Sequence, residues 1–216
     1  MAGKILRKYG WLLFLLGAGT LLLLTVSLLR DRPPSWVEWQ QKTESLRAAG
    51  ESPAEDRTAL TKGTGENAQT SSVTLEFTLR NRKLTAAAKG EILWSTDPKW
   101  LVQDFLTADL DGDEKEELIL LLWKKGRYGE HRPFWVKEDE KTYSQHIFLY
   151  DVTQEGELHP KWFASNLGRE VTHMDLISAG VKVLALEDRE DTVTCWIWQS
   201  WGLKQIEQDG KNLRSH

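Results

Sequence analysis

Six carboxylates fall within residues 109–117, which read DLDGDEKEE. Acids at the first, third and fifth positions of a tight loop can converge on one point, and a backbone carbonyl at the seventh position and a carboxylate at the ninth can complete an oxygen cage. The predicted ligands are Asp109, Asp111, Asp113, the backbone carbonyl of Lys115, and Glu117. Calcium takes roughly six to eight oxygen ligands, whereas zinc and copper favour nitrogen and sulfur. The loop therefore predicts a Ca²⁺ site.

The residues on either side of the loop exclude an EF-hand. That motif needs an entering helix and a bidentate Glu at its twelfth position, but here the twelfth position is Leu120, within an apolar run. Residues 102–108 and 118–123 read instead as strands. The second run has no polar alternation, which predicts a central strand buried on both faces.

An acidic loop between two strands resembles the FG-GAP (VCBS-type) repeats, whose D-x-D-x-D-G loops bind calcium between the first strands of β-propeller blades. The matching residues are Asp109, Asp111, Asp113, Glu117, Leu118 and Ile119. The resemblance covers about fifteen residues directly and implies a calcium-binding, propeller-blade-like domain.

One position departs from the pattern: the residue after Asp113 is usually Gly and here is Glu114. If the loop needs a left-handed backbone there, a non-glycine residue costs about 1–2 kcal/mol and weakens the site. Glu114→Gly is therefore expected to strengthen binding. The alternative reading is an acidic turn that only solubilises the connection between two strands.

Strand-like segments separated by turns extend over the C-terminal two thirds of the chain. Apolar residues alternate over residues 73–79, and Asn81-Arg82 can turn the chain back into a second strand, giving a hairpin over 73–85. Further strands are predicted at residues 91–94, 100–108, 117–123, 146–152, 181–186 and 192–199. This spacing predicts an all-β, antiparallel domain that is either propeller-blade-like or sandwich-like.

A degenerate internal repeat accompanies these strands. The first copy runs through Trp94, Asp109-Leu110, residues 118–122 and residues 146–150. The second runs through Trp162, Asp175-Leu176, residues 181–186 and residues 195–198. The second copy lacks the loop carboxylates and should not bind metal. Two copies leave one repeat face uncovered, and we expect the hairpin 73–85 to cover it and the domain to be a monomer.

Aromatic residues divide between the predicted strands and the predicted loops. Six tryptophans on or beside strands are expected in the core, namely Trp94, Trp100, Trp123, Trp162, Trp196 and Trp198. An insertion at residues 124–144 interrupts the first repeat copy and is highly charged, yet carries three aromatic residues. Long loops often carry binding, so the candidate partner contacts are Tyr128, Phe134, Trp135 and, in a later loop, Trp201.

Residues 11–29 predict a transmembrane segment. They comprise nineteen uncharged residues, ten of them Leu, and a helix of that length spans about 28 Å, close to the hydrocarbon thickness of a bilayer. Lys4, Arg7 and Lys8 precede the run and favour a cytoplasmic N-terminus, with the rest of the chain outside. A cleaved secretory signal ending near Ser27 is the alternative, but the apolar run is long for one.

The sequence thus divides into a cytoplasmic N-terminus (1–10), a signal anchor (11–29), a flexible juxtamembrane tether (30–72), the β domain (73–207) and a disordered tail (208–216). The tether has few large apolar residues, so burial of apolar surface cannot offset the conformational entropy that it would lose on folding. Within it, residues 36–49 could form a short helix ended by Gly50.

Charge and motif content bear on function. The formal net charge is -4, and the residues after Arg30 are more acidic still, which argues against nucleic acid as a partner. No metalloprotease, nucleophile-elbow or phosphate-loop motif occurs, and Cys195 lies in a predicted core strand. The sequence therefore predicts a membrane-anchored, extracytoplasmic, non-enzymatic module that recognises a protein or glycan or acts as a scaffold. The alternative is a cell-surface hydrolase or other enzyme with acidic residues near the insertion 124–144.

Overall fold

The computed structural model describes residues 32–47, 73–129, 131–179 and 181–207. The apolar run 11–29, the predicted cytoplasmic N-terminus, the predicted tail 208–216 and most of the predicted tether lie outside these ranges. No helix among the described residues is long and apolar enough to cross a membrane.

All regular structure in the described residues is β, as the sequence predicts. The twelve strands are β1 (Lys42–Arg47), β2 (Thr74–Arg80), β3 (Lys83–Ala88), β4 (Glu91–Ser95), β5 (Leu101–Ala108), β6 (Glu117–Lys125), β7 (Tyr143–Val152), β8 (Leu158–Phe163), β9 (Val171–Ala179), β10 (Val181–Asp188), β11 (Val193–Gln199) and β12 (Gly202–Ile206). They form three four-stranded antiparallel sheets, each made of four consecutive strands in chain order. We call them the first sheet (β1–β4), the central sheet (β5–β8) and the third sheet (β9–β12).

The central sheet is covered on both faces. One hydrophobic cluster joins it to the first sheet, with Phe77 of β2 packed on Phe105 of β5 at a ring distance of 6.1 Å. A second cluster joins the opposite face to the third sheet and includes Ile119, Leu121 and Leu184. Strand β6 is buried from Glu117 to Trp123, which confirms the prediction from its unbroken apolar run.

The hairpin 73–85 is observed as β2 and β3, and its apolar face packs against the central sheet. It belongs to the first sheet, which is additional to the two units that the sequence repeat accounts for. The apolar segments of the two repeat copies lie on corresponding strands, with residues 118–122 in β6 and 181–186 in β10, the second strand of each sheet. The Asp-Leu segments do not correspond, since Asp109-Leu110 follows β5 and Asp175-Leu176 lies within β9. Whether these strands represent a true sequence repeat stays a prediction.

The structure differs from the sequence-based expectation at residues 36–47. These residues form no helix; residues 42–47 are strand β1, which pairs with β2 from Lys42↔Leu79 to Arg47↔Thr74. Leu46 is buried in the first cluster, and the Trp36 ring packs edge-on against Trp123 at 5.8 Å. The segment KTESLR has a single large apolar side chain and therefore shows no strand pattern in the sequence. Its pairing with β2 stabilises it as a strand instead.

A buried polar network, which the sequence does not signal, ties the central sheet to the third. Gln103 Oε1 accepts hydrogen bonds from Trp123 Nε1 (2.9 Å) and Gln145 Nε2 (2.8 Å). The side-chain amide of Gln145 also pairs with the backbone of Val171 at the start of β9: its Nε2 donates to the carbonyl (2.8 Å) and its Oε1 accepts from the N–H (2.7 Å). All polar atoms in this network find partners, as buried polar groups require.

Strand β6 separates two functional candidates. The acidic loop precedes its first residue, Glu117, and the insertion follows its last, Lys125. Nine residues at the rise of an antiparallel strand span about 27 Å, so the two loops lie at opposite ends of the central sheet.

Candidate metal centre

The acidic loop is the connection between β5 and β6, closed by the pair Ala108↔Glu117. Asp109 organises it through backbone hydrogen bonds. Its Oδ1 accepts from the N–H groups of Gly112 (2.7 Å) and Asp113 (3.1 Å), and its Oδ2 accepts from Glu114 (3.0 Å). The loop is therefore held in a compact turn by its first carboxylate.

Four of the five predicted ligand residues come together. The carboxylate oxygens of Asp109, Asp111, Asp113 and Glu117 lie within 4.8 Å of one another. Two oxygens bound to one calcium ion can be at most about 5 Å apart, since each lies about 2.3–2.6 Å from it. The cluster is thus compact enough to hold a metal ion, and its donors are all hard oxygens.

The four carboxylates differ in burial. Glu117 is 1% exposed, Asp109 and Asp111 are half-buried, and Asp113 is exposed. Lys115 lies in the same turn, where its N–H donates to Asp113 Oδ1 at 2.9 Å. Its backbone carbonyl, the fifth predicted ligand, stays a prediction.

Lys161 on β8 is a component of this centre that the sequence did not reveal. Its ammonium lies 2.7 Å from Asp111 Oδ2, 2.8 Å from Glu117 Oε1 and 2.8 Å from Asp151 Oδ1. The same ammonium lies 5.3 Å from the centroid of the Trp198 ring. Lys161 and Asp111 are fifty positions apart and meet only because β8 folds back beside β7, so no local pattern could identify the pair.

Burial and the lysine shift the pKa values of the carboxyl groups in opposite directions. Burial raises the pKa of Glu117, and its hydrogen bonds from Lys161 and from the Leu110 N–H offset only part of that rise. Burial also acts on Asp111, but there the hydrogen bonds from Lys161 and the Asp113 N–H hold the pKa below its usual value. Burial disfavours the charged form of Lys161, yet its three carboxylate partners raise its pKa.

The lysine and a metal ion compete for the same atoms. Glu117 uses Oε2 to accept from the Leu110 N–H at 2.7 Å and Oε1 to hold Lys161. A cation that coordinates Glu117 Oε1 or Asp111 Oδ2 must therefore move the ammonium away or share the oxygen with it.

The backbone at Glu114 has the left-handed conformation that the sequence analysis considered. Its φ is 68°, and that of Gly112 is 81°. Glycine adopts such angles without an energetic penalty, whereas a residue with a Cβ adopts them at a cost in conformational energy. The loop thus carries local strain at Glu114.

A cavity of about 620 Å³ opens beside the cluster between β6, the β7–β8 turn and the end of β11. Six of its thirteen lining residues are acidic, among them Asp113, Asp151 and Glu155, and Lys161 and Trp198 also line it. The cavity leaves the carboxylates accessible from solvent, so an ion can reach them.

The predicted partner-contact residues do not form one surface. Phe134 and Trp135 are 94% and 71% exposed on the insertion. Trp201 is 81% exposed in the β11–β12 turn, next to Ser200, which lines the acidic cavity at the opposite end of the central sheet. Tyr128 is half-buried, and its carbonyl accepts a hydrogen bond from Lys124 Nζ at 2.6 Å.

The six tryptophans expected in the core do contribute to it. Trp123 is 3% exposed, and the others pack partly buried against one of the two clusters. Cys195 is buried, which raises the pKa of its thiol. These residues therefore have packing roles.

A serine and a histidine meet at the base of the insertion. Ser144 Oγ lies 2.9 Å from His146 Nε2, while Nδ1 of the fully buried ring faces the Ala164 carbonyl at 3.0 Å. A catalytic histidine needs access to substrate and an orienting group that stabilises its charged form. This ring is fully buried and therefore closed to substrate, and burial lowers its pKa despite the hydrogen bonds to the Ala164 and Gly126 carbonyls. The pair instead joins β7 to the insertion.

No protein-family model matches this chain, and no curated protein or solved structure matches it either.

Proposed function

We propose that this chain is a calcium-stabilised recognition or scaffolding module held at the outer surface of a membrane by residues 11–29. The observation that carries the proposal is the cluster of four carboxylates in the β5–β6 loop, whose oxygens lie within 4.8 Å of one another. The FG-GAP resemblance of that loop, which concerns the same residues, supports calcium as the ion.

The donor chemistry favours calcium over transition metals. The cluster offers carboxylate oxygens and no imidazole or thiolate, and hard cations select such donors. Four carboxylates against the ammonium groups of Lys161 and Lys115 leave the site with an excess of negative charge for a divalent ion to neutralise. The ion would fasten the β5–β6 loop to the start of β6, where Glu117 is buried.

The proposal is non-enzymatic. Asp139 supports the fold of the insertion, since its Oδ1 accepts from the N–H groups of Arg127 (2.8 Å) and Glu140 (2.7 Å). Recognition of an extracytoplasmic protein or glycan would use the exposed aromatic residues, of which Trp201 lies beside the metal end.

Thermal unfolding of the full chain in detergent tests whether Ca²⁺ binds to the folded protein. Binding to the native state alone raises Tm by mass action, so Ca²⁺ should raise it by several degrees at millimolar concentration. Asp111→Ala should abolish this shift, whereas Glu116→Gln, which neutralises an exposed acid outside the cluster, should retain it. Equal Tm values with and without Ca²⁺ in wild type would overturn the calcium proposal.

Proteolysis from outside intact cells tests the placement. The β domain should be cleaved without permeabilisation while residues 1–10 are protected. A protected β domain would overturn the proposed topology, and a mature N-terminus near Leu28 would replace the anchor by a cleaved signal.

A further inference from the structure

Two large aromatic side chains project together from the insertion between β6 and β7. Phe134 and Trp135 are 94% and 71% exposed, and their rings contact each other edge-to-face at 4.8 Å. A turn in which the Val136 N–H donates to the Pro133 carbonyl at 3.0 Å places them side by side. Adjacent exposed aromatic rings on a soluble surface typically mark a site of interaction.

The base of this loop is firmly held, so the rings are presented to solvent rather than collapsed onto the domain. The Gly126 N–H donates to Thr142 at 3.1 Å, and the Asn166 N–H donates to Arg127 at 2.7 Å. Asp139 closes the loop internally by accepting from the Arg127 N–H. The tip is therefore preorganised, which lowers the entropic cost of binding.

The chain arrives from the predicted membrane segment at the same end of the domain. Trp36 packs on Trp123 at a ring distance of 5.8 Å, and Trp123 lies two residues before the end of β6, where the insertion begins. Val37 is 6% exposed, so the chain is packed against the domain from this residue onward. Only six residues separate Leu29 from Trp36. An extended chain of that length spans at most about 25 Å, which keeps this end of the domain close to the bilayer.

Charge is distributed unequally between the two ends of the central sheet. Residues 124–144 contain six Lys or Arg against four Asp or Glu, a net charge of +2. Residues 109–117 contain six Asp or Glu against one Lys, a net charge of -5. Arg132 and Lys137, which flank the aromatic pair, are both exposed. An anionic bilayer surface therefore attracts the insertion and repels the acidic loop.

From these observations we infer that Phe134 and Trp135 insert into the interfacial layer of the bilayer that holds residues 11–29, with Arg132 and Lys137 on anionic headgroups. Aromatic rings favour this layer, since their apolar bodies leave water while polar groups nearby remain hydrated. The inference rests on the anchoring part of the proposed function and goes beyond it, because it fixes the orientation of the domain. The acidic loop then points away from the membrane.

Depth measurements on the full chain test this contact. The chain, with Cys195→Ser, carries an environment-sensitive dye on Glu138→Cys near the aromatic pair, and is reconstituted into phosphatidylcholine–phosphatidylglycerol vesicles. Lipids with nitroxide quenchers in the headgroup or upper acyl region report proximity. The matched control places the dye on Glu155→Cys, in the exposed β7–β8 turn at the acidic end.

Quenching should be several-fold stronger at position 138 than at position 155, and Phe134→Ser with Trp135→Ser should reduce it to the control level. Vesicles lacking phosphatidylglycerol should also reduce it. Equal quenching at the two positions, or none at 138 in a chain that floats with the vesicles, would overturn the inference and leave the aromatic pair to a protein partner. A chain that does not float with the vesicles contradicts the anchor itself, and the inference with it.

Discussion

Lys161 is the residue on which the chemistry of the acidic cluster depends. Its ammonium bonds Asp111, Glu117 and Asp151 within 2.8 Å, and Glu117 is almost fully buried. Removing one partner of a buried ion pair leaves the other charge without compensation, which costs about 3 kcal/mol. The lysine thus stabilises the metal-free chain while it opposes a second cation in the same place.

Lys161→Met should therefore act in opposite directions on the two forms. The metal-free chain should lose about 3 kcal/mol of unfolding free energy, and the affinity for Ca²⁺ should rise, because no ammonium competes for Glu117 Oε1. Urea unfolding with and without Ca²⁺ measures both. The matched control is Lys115→Met, whose exposed ammonium touches only Asp113 at 3.4 Å and should change little. A lower Ca²⁺ affinity in Lys161→Met would show that the lysine supports the ion.

Glu114→Gly should raise the stability of the metal-free chain by about 1 kcal/mol, since it relieves the strain of a φ of 68°. This strain exists before any ion binds, so its relief should change the Ca²⁺ affinity less than the sequence alone predicts. Urea unfolding and a calcium titration separate the two effects. Glu116→Gly, which removes a neighbouring acid from a residue outside the left-handed region, should lower stability instead.

At the scale of elements, the joint between β7 and the insertion should make stability depend on pH. Burial lowers the pKa of His146 in the folded state below its usual value of 6.5, despite hydrogen bonds to the Ala164 and Gly126 carbonyls. His146 in the unfolded chain then binds a proton near pH 6.5, whereas in the folded chain it binds that proton only at a lower pH. Stability should fall as pH drops below about 6.5, by up to about 1.4 kcal/mol per pH unit, until the folded pKa is reached.

His146→Gln should remove this slope, whatever it does to stability at neutral pH. His159→Gln, which changes an exposed histidine, should keep it. Denaturant unfolding between pH 5 and 7 measures the slope for all three chains. A slope that persists unchanged in His146→Gln would assign the pH dependence to other groups.

How far each strand could be predicted depends on its side chains. Alternation identified β2, and an unbroken apolar run identified β6, because both patterns follow directly from which faces are buried. Strand β8 contains Pro160 and is only partly buried, and β1 has one large apolar residue, Leu46, so neither carries a pattern. The acidic loop was predictable because its ligands are local, whereas Lys161 reaches it only through the pairing of β7 with β8.

At the scale of the whole molecule, three stacked sheets change the expected limits of the folding unit. The sequence predicts that a chain beginning at Val73 is complete. The structure adds β1, which pairs along the length of β2, and the contact of Trp36 with Trp123. The first sheet covers one face of the central sheet, so its edge strand belongs to the fold.

A chain beginning at Arg32 should therefore fold and unfold cooperatively, whereas one beginning at Val73 should aggregate or unfold. Loss of β1 exposes the edge of β2 and uncovers the apolar residues that Leu46 contacts. Circular dichroism and size-exclusion chromatography of the two chains make the comparison. A stable, monodisperse chain beginning at Val73 would show that the domain does not need residues 32–47 to fold.

Calorimetric titration of Ca²⁺ into the full chain tests the metal centre most directly. We expect one ion bound per chain, loss of binding in Asp111→Ala, and retained binding in Glu116→Gln. Absence of binding at millimolar Ca²⁺, or equal binding in wild type and Asp111→Ala, would contradict the account. In that case Asp111 and Glu117 serve to hold Lys161, and Asp109 serves to shape the turn.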